Sequence, residues 1–267
     1  MKKTIYLFAS VILLLSCKKE SSNPTTTTTT TTNTTDTTKN TTVSNIDFSS
    51  IGNPIGKFGN GVNDIDGNKY KTVIIGTQEW MAENLKVSKY NDGTNILNMP
   101  DTSQWNNATN GGWCYYNNDA SNNIYGKLYN WYTISNEKVC PTGWHIPSKS
   151  EWVTLVNYLG GNSTLIEGDT IVASKLKETG TIHWVTPNNA NNLSLFSALP
   201  AGARESDSGS FEMLGQATIF LSSDILTTSG FDGVKHVGIT NEKYGNVFFF
   251  KNNDPKRTGY SIRCIKN

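Results

Sequence analysis

The side chains with the widest chemical range in this sequence are three histidines and four cysteines. His145, His183 and His236 are far apart, and none has a second histidine four positions away, as zinc-binding helices do. The sequence also lacks a Gly-x-Ser-x-Gly nucleophile elbow and a phosphate-binding loop. We therefore expect no catalytic residues, no cofactor and no enzyme activity, and we interpret each histidine as a turn or core residue.

Oxygen-bearing side chains alternate around Gly67, where Asp64, Asp66 and Asn68 could begin a calcium-binding loop. An EF-hand loop ends with a bidentate glutamate at its twelfth position, and that position is Ile75 here. We therefore interpret this segment as an Asp-Gly turn and predict no metal site.

The strongest local signal for secondary structure begins at Ser148. Glu151 follows three positions later, which is the spacing of a capping box, so a helix is predicted to begin at Ser148. Gly160 and Gly161 can adopt the positive φ that ends a helix. Four apolar residues with helical spacing should face a core: Trp152, Leu155, Val156 and Leu159.

Residues 1–16 resemble a lipoprotein signal peptide. Lys2 and Lys3 precede an apolar run, which is shorter than the roughly 20 residues that a membrane span needs. A small residue directly before Cys17 is similar to the bacterial lipobox, which implies acylation of Cys17 and attachment to a membrane through this lipid. The alternative is an ordinary secretory peptide with an incidental cysteine.

Residues 17–57 are predicted to be a disordered tether. They are rich in Thr and Asn and include eight consecutive threonines, and such a segment buries too little apolar surface to fold. The charged residues just after Cys17 resemble the surface-export signal of Bacteroidetes-type lipoproteins. This resemblance implies a cell-envelope protein, anchored in the outer membrane and exposed on the surface.

The charge balance bears on possible partners. Loss of Lys2 and Lys3 with the signal peptide leaves 21 basic and 22 acidic residues, a net charge of about −1. A chain without a basic patch is not expected to bind nucleic acid.

Residues 58–267 have the length of a single domain. A strand is predicted from Tyr70 to Gly76 and a short helix from Ala173 to Glu178. The last third is predicted to be a β-meander that ends with a strand from Tyr260 to Ile265. In that strand Cys264 alternates with polar residues and should point inward.

Several segments in order resemble the Fibrobacter succinogenes major paralogous domain. They are spread over residues 64–266 and read DGNKYKTVIIGTQEWMAENL, YGKLYNWY, CPTGWHIPSKSEW, SKLKETG, FSALPAGAR, GSF and GYSIRCIKN. The segments HIPSKSEW and GYSIRC are also similar to formylglycine-generating-enzyme-like proteins. This resemblance implies an α+β, C-type-lectin-like domain with short strands, few short helices and long loops.

The resemblance also implies a cysteine pairing, because in that fold a cysteine near a helix pairs with one in the last strand. The pair here is Cys140 and Cys264, in an oxidising compartment. Cys114 is then either a buried thiol or the true partner of one of the others. Formylglycine-generating enzymes need two cysteines late in the chain, and only Cys264 lies in the last hundred residues. Oxidase activity is therefore not expected.

The seven tryptophans and eleven tyrosines could serve a glycan-binding surface or a core. Trp80, Trp131, Trp144 and Trp152 lie within the family motifs and are expected in the core. A binding surface should instead lie on loops outside the motifs. The lectin-like fold points to residues 224–257, where the predicted ligand contacts are Asp232, Lys235, Tyr244 and Asn246.

These observations favour a non-catalytic cell-surface lipoprotein, with a role in adhesion, whose domain binds a glycan, a host protein or an envelope component. One alternative is a structural protein of the envelope or fimbriae without a ligand site. Another is a divergent enzyme on the same fold, which converging titratable residues near Cys264 or His236 would favour.

Overall fold

The computed structural model describes residues 53–162, 169–228, 231–244 and 248–267. Within these ranges, the side chains of residues 226–228, 231–232, 244 and 249–253 are not described. Cys17 lies outside the described residues. Asp47–Asn267 form one compact unit.

The described chain is a mixture of short strands and helices. The strands are β1 (Lys57–Phe58), β2 (Val62–Asn63), β3 (Lys69–Tyr70), β4 (Thr72–Ile75), β5 (Gln78–Met81), β6 (Leu97–Asn98), β7 (Gly112–Cys114), β8 (Leu128–Tyr129), β9 (Trp144–His145), β10 (Ala201–Arg204), β11 (Phe211–Leu214), β12 (Ala217–Thr228), β13 (Phe231–Thr240), β14 (Phe248–Asp254) and β15 (Ile265–Lys266). The helices are α1 (Thr102–Asn106), α2 (Lys149–Tyr158) and α3 (Thr170–Leu176). Shorter 3-10 turns cover Tyr116–Asn118, Ala120–Tyr125, Trp131–Thr133 and Glu242–Tyr244. The fold class is therefore α+β.

Two five-stranded sheets form the framework. One has the order β1-β4-β5-β15-β9, so it contains strands from both ends of the described chain. The other has the order β11-β10-β12-β13-β14. A three-stranded sheet, β6-β7-β8, and the β2-β3 pair complete the framework. In the described part of the chain, no helix is long and apolar enough to cross a membrane.

Helix α2 confirms the predicted capping box. Ser148 Oγ accepts a hydrogen bond from the Glu151 backbone N–H, and Glu151 Oε2 accepts one from Ser148 N at 2.7 Å. All four predicted core residues of this helix are 0–1 % exposed, and Gly160 has a φ of +78°. The Trp152 ring stacks on Phe220 of β12 at 5.7 Å, so α2 packs against the second large sheet.

A disulfide joins Cys140 to Cys264, the pair that the family resemblance implied. Cys114 is a free thiol, completely buried, so the open question about this residue is answered by the thiol alternative. Burial raises the pKa of Cys114 to about 11 although Arg204 acts in the opposite direction. The thiol is therefore protonated at neutral pH and unreactive.

The strand expected at the end of the chain is wrong, whereas the burial expected for Cys264 is right. Tyr260–Ile265 do not form a strand beside β14, because the last strand is β15 and it lies in the other large sheet. Cys264 is buried as predicted, but its neighbours Ser261 and Arg263 are also 0 % exposed. The segment is enclosed on both sides, so alternation between polar and apolar residues did not indicate a solvent face.

The short helix is also displaced: it was predicted at Ala173–Glu178 and it is found at Thr170–Leu176. Its start is set by Asp169, whose side chain accepts a hydrogen bond from the Val172 backbone N–H. An aspartate at this position stabilises the first turn by satisfying an open backbone donor.

Candidate functional site

Two of the four predicted ligand contacts between residues 224 and 257 lie on a strand rather than on a loop. Asp232 and Lys235 belong to β13, which is hydrogen-bonded to β12 on one side and to β14 on the other. Lys235 is partly buried, and the side chains of Asp232 and Tyr244 are not described. Asn246 lies outside the described residues. Binding by these four residues remains a prediction. The placement of Asp232 and Lys235 on loops is wrong, because both lie on β13.

Three titratable side chains meet at His236, on β13. His236 Nδ1 is 3.3 Å from Asp254 Oδ2, and the hydroxyl of Tyr260 donates a hydrogen bond to the same carboxylate oxygen. Burial, followed by the charge of Asp254, raises the pKa of Tyr260 well above its usual value. Such a convergence would favour the enzyme alternative, but His236 and Tyr260 are 2 % and 4 % exposed. The cluster joins these two buried side chains to Asp254, whose side chain is 25 % exposed.

The other two histidines also pair with carboxylates. His145 Nε2 is 2.7 Å from Glu151 Oε1, and His183 Nδ1 is 2.7 Å from Glu178 Oε2. Among the described residues, no three His, Cys, Asp or Glu side chains are grouped to hold a metal ion. Both pairs are therefore interpreted as structural contacts.

Residues 64–68, weighed above as the start of a calcium loop, form an Asp-Gly turn, and Asp64 at its start holds the turn by hydrogen bonds. The Asp64 carboxylate accepts hydrogen bonds from the backbone N–H groups of Asp66 and Asn68, both at 2.9 Å. It also accepts bonds from Asn68 Nδ2 at 2.8 Å and from the Tyr70 hydroxyl at 2.6 Å. Four donors occupy this carboxylate, which leaves Asp66 as the outward-facing acid of the turn.

A different cluster forms at the end of the β7-β8 hairpin. Trp113 pairs with Tyr129 and Cys114 with Leu128, and this antiparallel register continues to place Tyr115 opposite Lys127. Residues 116–126 close the hairpin through two 3-10 turns. Because alternate residues of a strand share a face, Trp113 and Tyr115 lie on the same side of the hairpin as Lys127.

Lys127 is a buried lysine whose ammonium has no hydrogen-bond acceptor among the described residues. The residue is 5 % exposed, and Nζ lies 3.7 Å from the centre of the Trp113 ring and 5.8 Å from that of Tyr115. Contact with an aromatic face offsets part of the cost of burying a cation.

The electrostatic environment of Lys127 is set by burial and by the Asp-Gly turn. Burial lowers the pKa of Lys127 to about 8, while the charges of Asp66 and Asp64 act to raise it. The ammonium remains the main form at neutral pH. Its proton is nevertheless held less strongly than that of a lysine in water, because hydration has been removed.

Asp66, whose charge acts on Lys127, has two carboxylate oxygens with different partners. Its Oδ2 accepts hydrogen bonds from Ser88 N at 2.5 Å and from Ser88 Oγ at 2.6 Å. Its Oδ1 accepts none from the described residues and lies 3.8 Å from Lys89 Nζ. Burial raises the pKa of Asp66, but Ser88, Lys89 and Lys127 lower it by more, so the carboxylate is ionised at neutral pH.

A buried tyrosine holds the turn beside the rest of the site. Tyr70 is 2 % exposed, donates to Asp64 and accepts a hydrogen bond from Lys86 N at 2.9 Å. Burial, followed by the hydrogen bond to Asp64, raises its pKa above the range in which it could ionise. The turn is thus fixed by two structural groups, while Asp66 Oδ1 pairs with Lys89.

The arrangement, which we call the Lys127 site, combines the Lys127 ammonium, the Trp113 ring beneath it and partly exposed Tyr115. Such a combination can orient a polar ligand by hydrogen bonds and contact its apolar side with a ring. Sequence reasoning missed it because Asp66 and Lys127 are distant in sequence. The usable signal was the pair of Tyr115 and Lys127, which flank a loop rich in asparagine.

Comparison with known proteins identifies one family. The sequence model of the Fibrobacter succinogenes major domain matches residues 73–266, which is well over half of the chain. No curated protein and no solved structure gives a significant match. Trp113, Tyr115 and Lys127 lie inside the matched range, and Asp66 lies just before it.

Proposed function

The chain belongs to the Fibrobacter succinogenes major domain family, and we propose that this member is a non-catalytic, lipid-anchored protein of the cell surface that binds an external ligand. Acylated Cys17 attaches it to the outer membrane, and the tether of residues 17–57 extends the domain of residues 58–267 away from the lipid. A signal peptide, a lipobox-like cysteine and a polar tract in this order support the proposal.

A C-type-lectin-like architecture is part of the proposal. Two features support it: Cys140 precedes α2 and is bonded to Cys264 beside the last strand, and β1 and β15 belong to the same sheet. Both features agree with the cysteine pairing and the joined chain ends that the resemblance to formylglycine-generating-enzyme-like proteins implied.

One observation carries the binding proposal: the Lys127 ammonium has no hydrogen-bond partner among the described residues although its side chain is almost completely buried. Burying an unpaired donor costs free energy, which a ligand that accepts its hydrogen bond would recover. The ligand classes under consideration are a glycan, a host protein and a component of the envelope.

The enzyme alternative has the His236 cluster in its favour. A substrate would have to reach His236 and Tyr260, which are almost completely buried and bonded to Asp254. The Lys127 site has a partly exposed ring and an ammonium without a hydrogen-bond acceptor among the described residues, so it supports binding better than the His236 cluster supports catalysis.

The test uses the unlipidated mature chain, residues 17–267 with Cys17→Ser, on glycan, matrix-protein and envelope-fraction arrays. Binding that weakens at least tenfold in Lys127→Met and is unchanged in Lys57→Met supports the proposal, because Lys57 is exposed on β1. Absence of any signal above the reduced, unfolded protein would instead favour the structural alternative. Signals that Lys127→Met leaves intact would place the ligand elsewhere.

A further inference from the structure

The chain enters the domain beside helix α3. Ile55 N donates a hydrogen bond to Leu193 O at 2.7 Å, and the next residue, Ser194, donates from its backbone N–H to Lys175 O at 3.2 Å. Lys175 belongs to α3. The segment that follows the tether is therefore held against the neighbourhood of this helix.

The end of α2 lies at the same place. Because β1 pairs antiparallel with β4, residues 53–56 run beside the end of β4 and toward Gly76. The Tyr158 ring of α2 covers Gly76 so closely that a Cβ there would lie 2.8 Å from it. Lys175 Nζ donates to Leu159 O at 2.7 Å, which joins α3 to the end of α2. We call this surface the entry face, and it comprises residues 53–59, 154–162, 170–176 and 190–193.

Each of three segments of the entry face presents one large apolar side chain to solvent. Phe58 after the chain entry, Tyr158 of α2 and Ile171 of α3 are 56 %, 53 % and 55 % exposed. Single exposed apolar residues are common on protein surfaces, but here three surround the point where the tether joins the domain. Aromatic and aliphatic side chains in such a position are typical of surfaces that rest in the headgroup layer of a membrane.

The charge of the entry face suits the same partner. Its residues include no Asp or Glu, although the chain has 22 of them. Its two charged residues are Lys57 and Lys175, and neither pairs with a carboxylate among the described residues. Lysines near an anionic lipid surface are attracted to it, whereas carboxylates would be repelled.

The length of the tether brings a membrane within reach of this face. Cys17 precedes Asn53 by 36 positions (53 − 17). A flexible coil of that length, which is the proposed form of the tether, separates its ends by roughly 30–36 Å on average. A lipid on Cys17 would thus hold the entry face at a high effective concentration of bilayer, so a weak contact is sufficient.

We propose that the entry face is a peripheral membrane contact, in which Phe58, Tyr158 and Ile171 enter the headgroup layer of a phospholipid bilayer and the two lysines lie near its phosphates. This inference goes beyond ligand binding at the Lys127 site and does not depend on it. It gives the domain a preferred orientation on the membrane, with the chain entry toward the lipid.

The first experiment measures flotation of the unlipidated mature chain with phosphatidylcholine vesicles, with and without about 30 % phosphatidylglycerol. The protein should bind the anionic vesicles, and an increase from about 0.05 to 0.5 M salt should weaken binding by screening the lysines. Phe58→Ser and Tyr158→Ser should each weaken binding severalfold. The triple variant that adds Ile171→Ser should weaken it about tenfold or more, because three apolar contacts are lost.

Ile182→Ser is the matched control. Ile182 is 88 % exposed, and its neighbour His183 packs against Tyr125 of the hairpin loop. This variant removes more exposed apolar surface than any one substitution in the entry face, yet vesicle binding should not change. Lys127→Met should also bind vesicles like the wild type, which separates this contact from the Lys127 site. Thermal unfolding of each variant checks that it is folded.

A second experiment needs no substitution in the entry face. The chain with its natural Cys17 is coupled to a maleimide phospholipid in the same vesicles, since the other cysteines of the mature chain are buried or disulfide-bonded. Hydrogen exchange of residues 53–59 and 157–162 should be slower than in the same chain coupled to a soluble maleimide. Exchange of residues 178–188, which include Ile182, should be the same in both.

Each remaining outcome contradicts the membrane contact. Vesicle binding that the triple variant retains, or protection confined to other segments, would place the lipid contact elsewhere. Absence of both binding and protection would show that the face does not meet lipid. If the wild type is a dimer by analytical ultracentrifugation, fails to bind vesicles, and becomes a monomer in the triple variant, the entry face is a contact between two copies of the chain.

Discussion

Cys140 and Cys264 are 124 residues apart and are joined by a disulfide with a Cα–Cα distance of 6.0 Å. The next residue, Ile265, pairs with Trp80 of β5 and with His145 of β9. The cross-link therefore lies beside the strand that joins the N-terminal part of the sheet to the segment leading into α2.

Removal of this cross-link in Cys140→Ala/Cys264→Ala should lower the free energy of unfolding by about 5 kcal/mol in the chain-entropy treatment, because the closed loop is long. Urea unfolding at neutral pH measures the change. Cys114→Ala is the matched control, since it removes a buried sulfur without opening a loop. A loss no larger than that of the control would show that the cross-link contributes little beyond packing.

The cap of α2 gives a second prediction. Ser148→Ala removes the acceptor for the Glu151 N–H and the hydroxyl that binds Glu151 Oε2 at 2.8 Å. The free energy of unfolding should fall by about 1 kcal/mol. Ser223→Ala, which changes an exposed serine of β12, should alter the free energy of unfolding by less than about 0.5 kcal/mol. Equal effects in the two variants would contradict the importance of the cap.

Local and long-range features differed in how well the sequence predicted them. Ser148 and Glu151 determine the start of α2 by themselves, so the spacing of two residues was sufficient. The Lys127 site depends on strand register, on a turn about 60 positions earlier in the chain, and on burial, none of which a local pattern records. Asp232 and Lys235 were assigned to loops because the lectin-like resemblance placed ligand loops at residues 224–257, although β13 pairs with strands on both sides.

Arg263 is a buried charge in the last segment of the chain. Its Nε donates to Asn84 Oδ1 at 2.8 Å, and its two terminal nitrogens donate to the carbonyl groups of Phe196 and Ser197. The guanidinium carbon also lies 4.2 Å from the centre of the Phe196 ring. The guanidinium thus links the last segment of the chain to the segments that contain Asn84 and Phe196–Ser197.

Arg263→Met should lower the free energy of unfolding by about 3 kcal/mol or more, because several acceptors lose a charged donor. Arg263→Lys should recover only part of this loss, since an ammonium lacks the planar fork. Arg257→Met is the control: its side chain is 38 % exposed and lies 3.9 Å from Asp207, so the change should stay within about 1 kcal/mol. Thermal and urea unfolding should agree in ranking the three variants.

The lowered pKa of Lys127 predicts a pH dependence of stability. The folded protein releases this proton near pH 8, whereas the unfolded chain keeps it until about pH 10.4. Between these values the unfolded state binds more protons, so this residue makes stability rise with pH. Lys127→Met should remove that contribution from the pH profile. In the wild type, NMR should find a lysine midpoint near pH 8 that disappears in urea; a midpoint near 10 would contradict the burial argument.

Ligand binding should follow the same proton. If the Lys127 ammonium donates to the ligand of the proposed binding function, affinity for that ligand should be constant below about pH 7 and should weaken as pH rises through about 8. The Asp66 charge raises the pKa of Lys127, so Asp66→Asn should move the decline to lower pH. Titration calorimetry from pH 6 to 9.5 in matched salt measures both curves. An affinity that stays constant to pH 9.5 in the wild type would mean that the ammonium is not the donor, and the ligand would then have to be held by other groups.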